Sequence, residues 1–172
     1  MYTRLVLGLT LPLLASQTAP PAGWRTFTPK DGSFTVAVPN TPKEKKLRVK
    51  LEADTVEVTL YSCDGAGDVT LVMGVTEYPD QAVRENADRR LRHAQDAAVE
   101  NAKGKLFHKK EITLAGYPGR EVWIETADKM IHVRMFAVRQ RLYQTMAIGP
   151  KEVMEENKEV AGFLDSFKLK KQ

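Results

Sequence analysis

The chain has 172 residues, 42% of them hydrophobic and 28% charged, with a formal net charge of +4. That is an ordinary globular composition, which excludes a disordered chain and leaves room for one domain with a real core. The basic charge is mild and spread along the chain. It lacks the one-faced concentration of a nucleic-acid binder, so no nucleic acid is expected as partner, while attraction to an anionic surface is compatible with it.

Residues 1–19 read as a signal peptide. Arg4 supplies a positive start, residues 5–14 are apolar, and the small residues Ala15, Ser16 and Ala19 follow. The apolar run is shorter than the roughly 20 residues of a spanning helix, and Gly8 and Pro12 weaken it. Trimming is expected between Ala15 and Ala22, leaving no transmembrane helix. The expected address is therefore export to the periplasm or the extracellular space. Residues 20–172 form a single α+β domain. Cys63 is the only cysteine, so an intramolecular disulfide is impossible. A small side chain half-buried at a strand end is its simplest role.

Alternation predicts strands over residues 24–28 and 34–38, separated by a turn at 29–33 and stopped by Pro39 and Pro42. An amphipathic hairpin follows. Leu47, Val49 and Leu51 alternate with Lys46, Arg48 and Lys50, and Val56, Val58 and Leu60 alternate with Thr55, Glu57 and Thr59. Such a period implies one buried face and one solvated, basic face, with Glu57 across from Arg48 or Lys50. Residues 64–68 are a turn. Gly65 and Gly67 lack the third glycine and the following helix of a nucleotide-binding loop. The next strand covers 69–78.

Asp80 is placed to cap a long helix. Val83, Ala87, Leu91, Ala94, Ala98 and Ala102 form its apolar stripe, and Gly104 stops it. Asp88 and Arg92 pair across one turn on its outer side, where Arg89, Arg90, Arg92 and His93 make a basic surface cluster. Strands are predicted over 105–115, 121–125, 131–138 and 142–148. A C-terminal helix over 150–167 buries Val153, Val160, Leu164 and Phe167. Leu91 and Phe167 are the expected core anchors.

No motif of catalysis is present. There is no Gly-x-Ser-x-Gly elbow, P-loop or Cys-x-x-Cys, and His93, His108 and His132 have no metal-ligand spacing. No catalytic residue, metal site or cofactor is expected. One face does carry chemistry. With a turn at 127–130, Glu125 faces His132, Trp123 faces Arg134 and Glu121 faces Phe136. A second turn at Arg139 and Gln140 sets Tyr143 beside Phe136 and Thr145 beside Arg134. Val122, Ile124, Val133, Met135, Leu142 and Met146 then fall on the opposite, apolar face. Trp123, Glu125, His132, Arg134 and Tyr143 are the candidate ligand-binding residues. A forked guanidinium suits an anion, and the aromatic rings give rigid surface. The alternative is an ordinary mixed sheet face, with Arg134 on Trp123 and Glu125 paired with His132.

Three segments carry a resemblance. Residues 116–122, 141–145 and 163–169, with the opening pattern of Trp24, Phe27, Asp31, Gly32, Ser33, Phe34 and Pro39, resemble the PsbP-like group, which includes DcrB-type bacterial envelope proteins. The resemblance spans nearly all of residues 20–172. It implies an antiparallel sheet sandwiched by helices, one long and central and one C-terminal. It also implies a mainly non-catalytic role in assembly or envelope maintenance. DcrB-type members often carry a lipobox cysteine, which this chain lacks, and nothing here ties it to photosystem II.

The expected function is that of an exported, non-enzymatic binding or assembly factor of the cell envelope, meeting an envelope protein or an anionic surface. The alternative is a binder of small polar ligands through the mixed face.

Overall fold

The computed structural model describes residues 20–50, 55–79, 86–155 and 157–170. The signal segment lies outside them. The fold is α+β and mostly antiparallel sheet. Seven strands form the main sheet: β3 (Lys43–Lys50), β4 (Thr55–Asp64), β5 (Thr70–Glu77), β6 (Lys105–Leu114), β7 (Tyr117–Glu125), β8 (Lys129–Val138) and β9 (Arg141–Pro150), in the spatial order β3-β4-β5-β9-β8-β7-β6. A small second sheet joins β1 (Arg25–Phe27), β2 (Phe34–Val38) and β10 (Lys168–Leu169). The sequence pattern foresaw the first two of these strands, but not that they leave the main sheet, nor the final strand.

Helix α1 (Ala87–Ala102) packs on β7 and β8. Leu91 is buried there among Val122, Ile124, Val133, Met135 and Leu142, and the alanine stripe lets the helix sit close. The helix starts at Asn86, whose side chain accepts a hydrogen bond from the Asp88 amide at 3.1 Å. The expected cap Asp80, with Val83, lies outside the described residues. At the other end Lys103, not Gly104, takes the left-handed position, with φ of 49°. Gly104 answers a different need: a Cβ on it would lie 2.7 Å from the Glu125 carbonyl oxygen. Arg90 departs from the expected surface cluster. It is buried, and its guanidinium donates to the Arg139 carbonyl at 2.7 Å.

The C-terminal helix is interrupted. Lys151–Met154 forms a short α2 and Lys158–Ser166 forms α3. Asn157 restarts the helix by accepting from the Glu159 and Val160 amides at 2.9 and 3.2 Å, which is N-cap chemistry placed inside the predicted element. Phe167 is core, as expected, but it stands in extended backbone just past the helix and leads into β10. The deepest anchor of α3 is Phe163, which has no exposed surface.

The second core lies on the sheet face away from α1. Phe34 stands 5.3 Å from Phe167 and 6.1 Å from Tyr143 between ring centroids. Val160, Phe163, Leu164 and Met154 close over Met73, Met130, Phe136 and Ala147. Cys63 is fully buried in this core, more deeply than expected, and burial raises its thiol to about 11. The β3–β4 hairpin has its foreseen register, with Arg48 opposite Glu57. Its apolar face is less covered than the alternation implied, since Val49 is exposed while α1 packs farther along the sheet on β7 and β8.

Candidate functional site

The turn between β7 and β8 is tighter than expected. Thr126 and Lys129 bond to each other around Ala127 and Asp128, with the Lys129 amide donating to Thr126 Oγ1 at 2.9 Å. The pairing is therefore offset by two residues: Trp123 faces His132, Glu121 faces Arg134, and Glu125 faces Met130. Because side chains alternate with period two, an offset of two keeps every residue on its expected face. Tyr143 faces Phe136 and Thr145 faces Arg134, as the β8–β9 turn predicts. Gly119 now stands opposite Phe136, where a Cβ would meet the ring at 2.5 Å. Close approach of the two strands there requires glycine.

The mixed face is a real face, and most of it is roofed. Trp123 stacks on His132 with centroids 3.8 Å apart. Glu121 Oε1 accepts from His132 Nε2 at 2.7 Å and from Arg134 Nε at 2.8 Å. Arg134 also donates from Nη1 to Asp165 of α3 at 2.6 Å. Glu125 pairs with Lys151 of α2. Trp123 thus stacks on the histidine rather than on Arg134, and Glu125 is bound to a lysine rather than to His132.

The electrostatics follow from this closure. The hydrogen bond from His132, with the Arg134 charge beside it, outweighs burial and holds the Glu121 carboxyl at about 2. Burial lowers His132 below its usual value, against the pull of Glu121. At neutral pH burial therefore leaves His132 uncharged, and because the Glu121 carboxylate can only accept, its proton sits on Nε2. A neutral histidine fixed between a ring and a carboxylate, beside an arginine bracketed by two acids, is a satisfied network. It presents no nucleophile. Among the described residues no group of three His, Cys, Asp or Glu side chains could hold a metal ion. Trp123, His132 and Arg134 are brought together, Glu125 stands at the α2 end of the group, and Tyr143 belongs to the aromatic core near the other end of the face.

Sequence reasoning placed Glu121 on this face without assigning it a part, and it missed Asp165 and Lys151. Those two come from helices whose docking no strand periodicity reveals. It also missed an open cleft beyond Tyr143, lined by Ser33, Tyr117, Val138, Arg139, Arg141 and Lys170 among others. Its walls are turns and strand ends far apart in the chain, so no local pattern marks it.

No family model matches this chain, and no curated protein matches it. Among solved structures, cyanobacterial PsbP (CyanoP) from Synechocystis sp. PCC 6803 is similar, with a TM-score of 0.59, 12% identity, and coverage of 92% of this chain and 99% of that one. The chain has a PsbP-like fold. A Pseudomonas aeruginosa protein of unknown function matches 62% of this chain and 84% of its own at 14% identity, with a TM-score of 0.38, too low to argue from. Among the described residues no helix is long and apolar enough to cross a membrane.

Proposed function

We propose that this protein is an exported, non-catalytic binding or assembly factor of the cell envelope, a sheet between helical layers that docks through its basic edge to an acidic envelope protein or an anionic surface. The observation that carries this reading is β3. It is one edge of the main sheet, and Lys43, Lys45, Lys46, Arg48 and Lys50 are all exposed on it. Lys46 pairs with Glu57 at 3.3 Å in an exposed position, an interaction that contributes little to folding. Lysines on an edge strand also discourage self-association, so their presence alone has a simpler reading. The signal-like leader and the resemblance to envelope proteins support the docking role over that one. The closed Glu121–His132–Arg134 network supports a role without chemistry.

Reversing Lys45, Lys46 and Arg48 to Glu separates the two readings. Wild-type protein is expected to retain an envelope partner or phosphatidylglycerol vesicles at low salt and to lose them at high salt. The triple variant should lose about 1 kcal/mol of attraction per basic residue near an anionic surface, and more on reversal, with its melt unchanged. Equal retention by wild type and variant would remove docking from this edge.

A further inference from the structure

At the open end of the mixed face lies a cleft of about 580 Å³, within the usual range for small-molecule sites. The β8–β9 turn, the β6–β7 turn and the segment after β10 form its lips. Among the described residues three cations, Arg139, Arg141 and Lys170, line it against one carboxylate, Glu77. Arg141 is already held by Asp31 at 2.9 Å and by Glu77. The excess positive charge therefore rests on Arg139 and Lys170. Tyr117, Tyr143, Val138 and Leu169 supply apolar wall.

Two further observations point to a ligand. Ser33 lines the cleft and is 3% exposed, yet its hydroxyl, shut off from solvent, has no hydrogen-bond partner among the described residues. Buried hydroxyls are nearly always satisfied, so an acceptor arriving in the cleft would draw this one outward. The lips are also built at a cost. Ala115 and Arg139 hold left-handed backbone, with φ of 51° and 50°, at turn positions where glycine or asparagine would be the cheap choice. At Arg139 the sequence accepts that strain and keeps a guanidinium at the lip. The buried Arg90 braces the turn from beneath through the Arg139 carbonyl.

We propose that this cleft binds a small organic carboxylate with an apolar body. Arg139 and Lys170 face the carboxylate, the Ser33 hydroxyl turns outward to donate to one of its oxygens, and the body lies along Tyr117 and Leu169. A forked guanidinium matches a carboxylate in two parallel bonds. With Arg141 neutralised by its two acids, the remaining charge suits a monoanion better than a phosphate dianion. The site is independent of the β3 edge and does not need an envelope partner.

Titration of the full chain with 4-phenylbutyrate, its primary amide and phenylbutyl phosphate tests this, followed by chemical-shift mapping and calorimetry. The carboxylate should bind at least about tenfold more tightly than the amide, the worth of one charge-assisted pair, and shift Ser33, Tyr117 and Arg139. Arg139→Ala should lose about tenfold and Lys170→Ala a smaller factor, both with unchanged melts, because both residues sit at exposed positions. The charge-reversed β3 variant should bind like wild type. Equal binding of acid and amide, tighter binding of the phosphate, full affinity in Arg139→Ala, shifts mapping elsewhere, or no binding of any probe would each overturn the assignment.

Discussion

Two groups of aromatic and ionisable side chains lie on one face of one sheet, and they differ in what covers them. Around His132 a histidine, a tryptophan, two acids and an arginine are closed under α3, and the Arg134 and Glu121 charges each meet an opposite. Around Tyr143 the same kinds of residue meet an open cleft with surplus cations, while an unpartnered buried hydroxyl occurs in both groups, Ser33 at the cleft and Thr145 opposite Arg134. Composition does not separate the two groups. The separation is made by the reach of α3, which lays Asp165 over Arg134 and ends at Ser166, short of the β8–β9 turn. A charged face is a site only where the fold leaves it unfinished.

The largest test of this contrast removes the roof's anchor. Phe163→Ala should cost about 3–5 kcal/mol in a denaturant melt, since the ring has no exposed surface and its neighbours cannot fill the space. A loss under about 1 kcal/mol, the range of surface substitutions, would mean α3 is not held as described.

Arg134→Ala comes next. It removes from Glu121 and Asp165 the cation they share. Removing one partner of a buried pair costs about 3–5 kcal/mol, and the partial exposure here brings the expectation to about 2 kcal/mol. Affinity for the carboxylate probe should not change. A variant that keeps its melt and loses binding would make the roofed group the site and break the comparison.

The third effect is smaller and depends on pH. Burial lowers His132 in the folded state, so the unfolded chain takes its proton first, and stability falls as pH drops below the ordinary histidine value of 6.5. Glu121 sits at about 2 when folded against 4.5 when free, so its contribution is complete above 4.5 and is lost as pH falls towards 2. Both limbs run the same way. His132→Gln should flatten the upper limb and shrink the lower one, since it removes the imidazole whose hydrogen bond does most to hold Glu121 down. A melt indifferent to pH between 7 and the Glu121 range would show that the histidine is not held neutral by burial.

Much of this was legible in the sequence, and the failures have physical causes. The faces of β7, β8 and β9 follow from parity alone, which survived a two-residue error in the Ala127–Asp128 turn. The position of that turn was not legible, because Lys129 suits a loop and a strand equally. The helix start was misplaced because Asp80 and Asn86 both have capping side chains. Asn157 reads as an exposed helical residue until its side chain is seen restarting the helix. The roof over His132 was invisible because strand periodicity says which residues share a face and nothing about which helix lands on it. The cleft was invisible because Ser33, Tyr117, Arg139 and Lys170 are neighbours only after folding.

The pairing of β2 with β10 has a bearing on how the chain reaches this state. The Ala37 amide is closed by the Ser166 hydroxyl at 2.9 Å, 129 residues away along the chain. Any process that delivers the polypeptide N-terminus first, whether synthesis or threading through a pore, leaves Phe34 without Phe163 and Phe167 until α3 and β10 have emerged. Contacts this remote pay the full entropy of loop closure before they return anything. Completion of the second core is thus a late event, and a chain still in transit carries an apolar strand that lacks its helical cover.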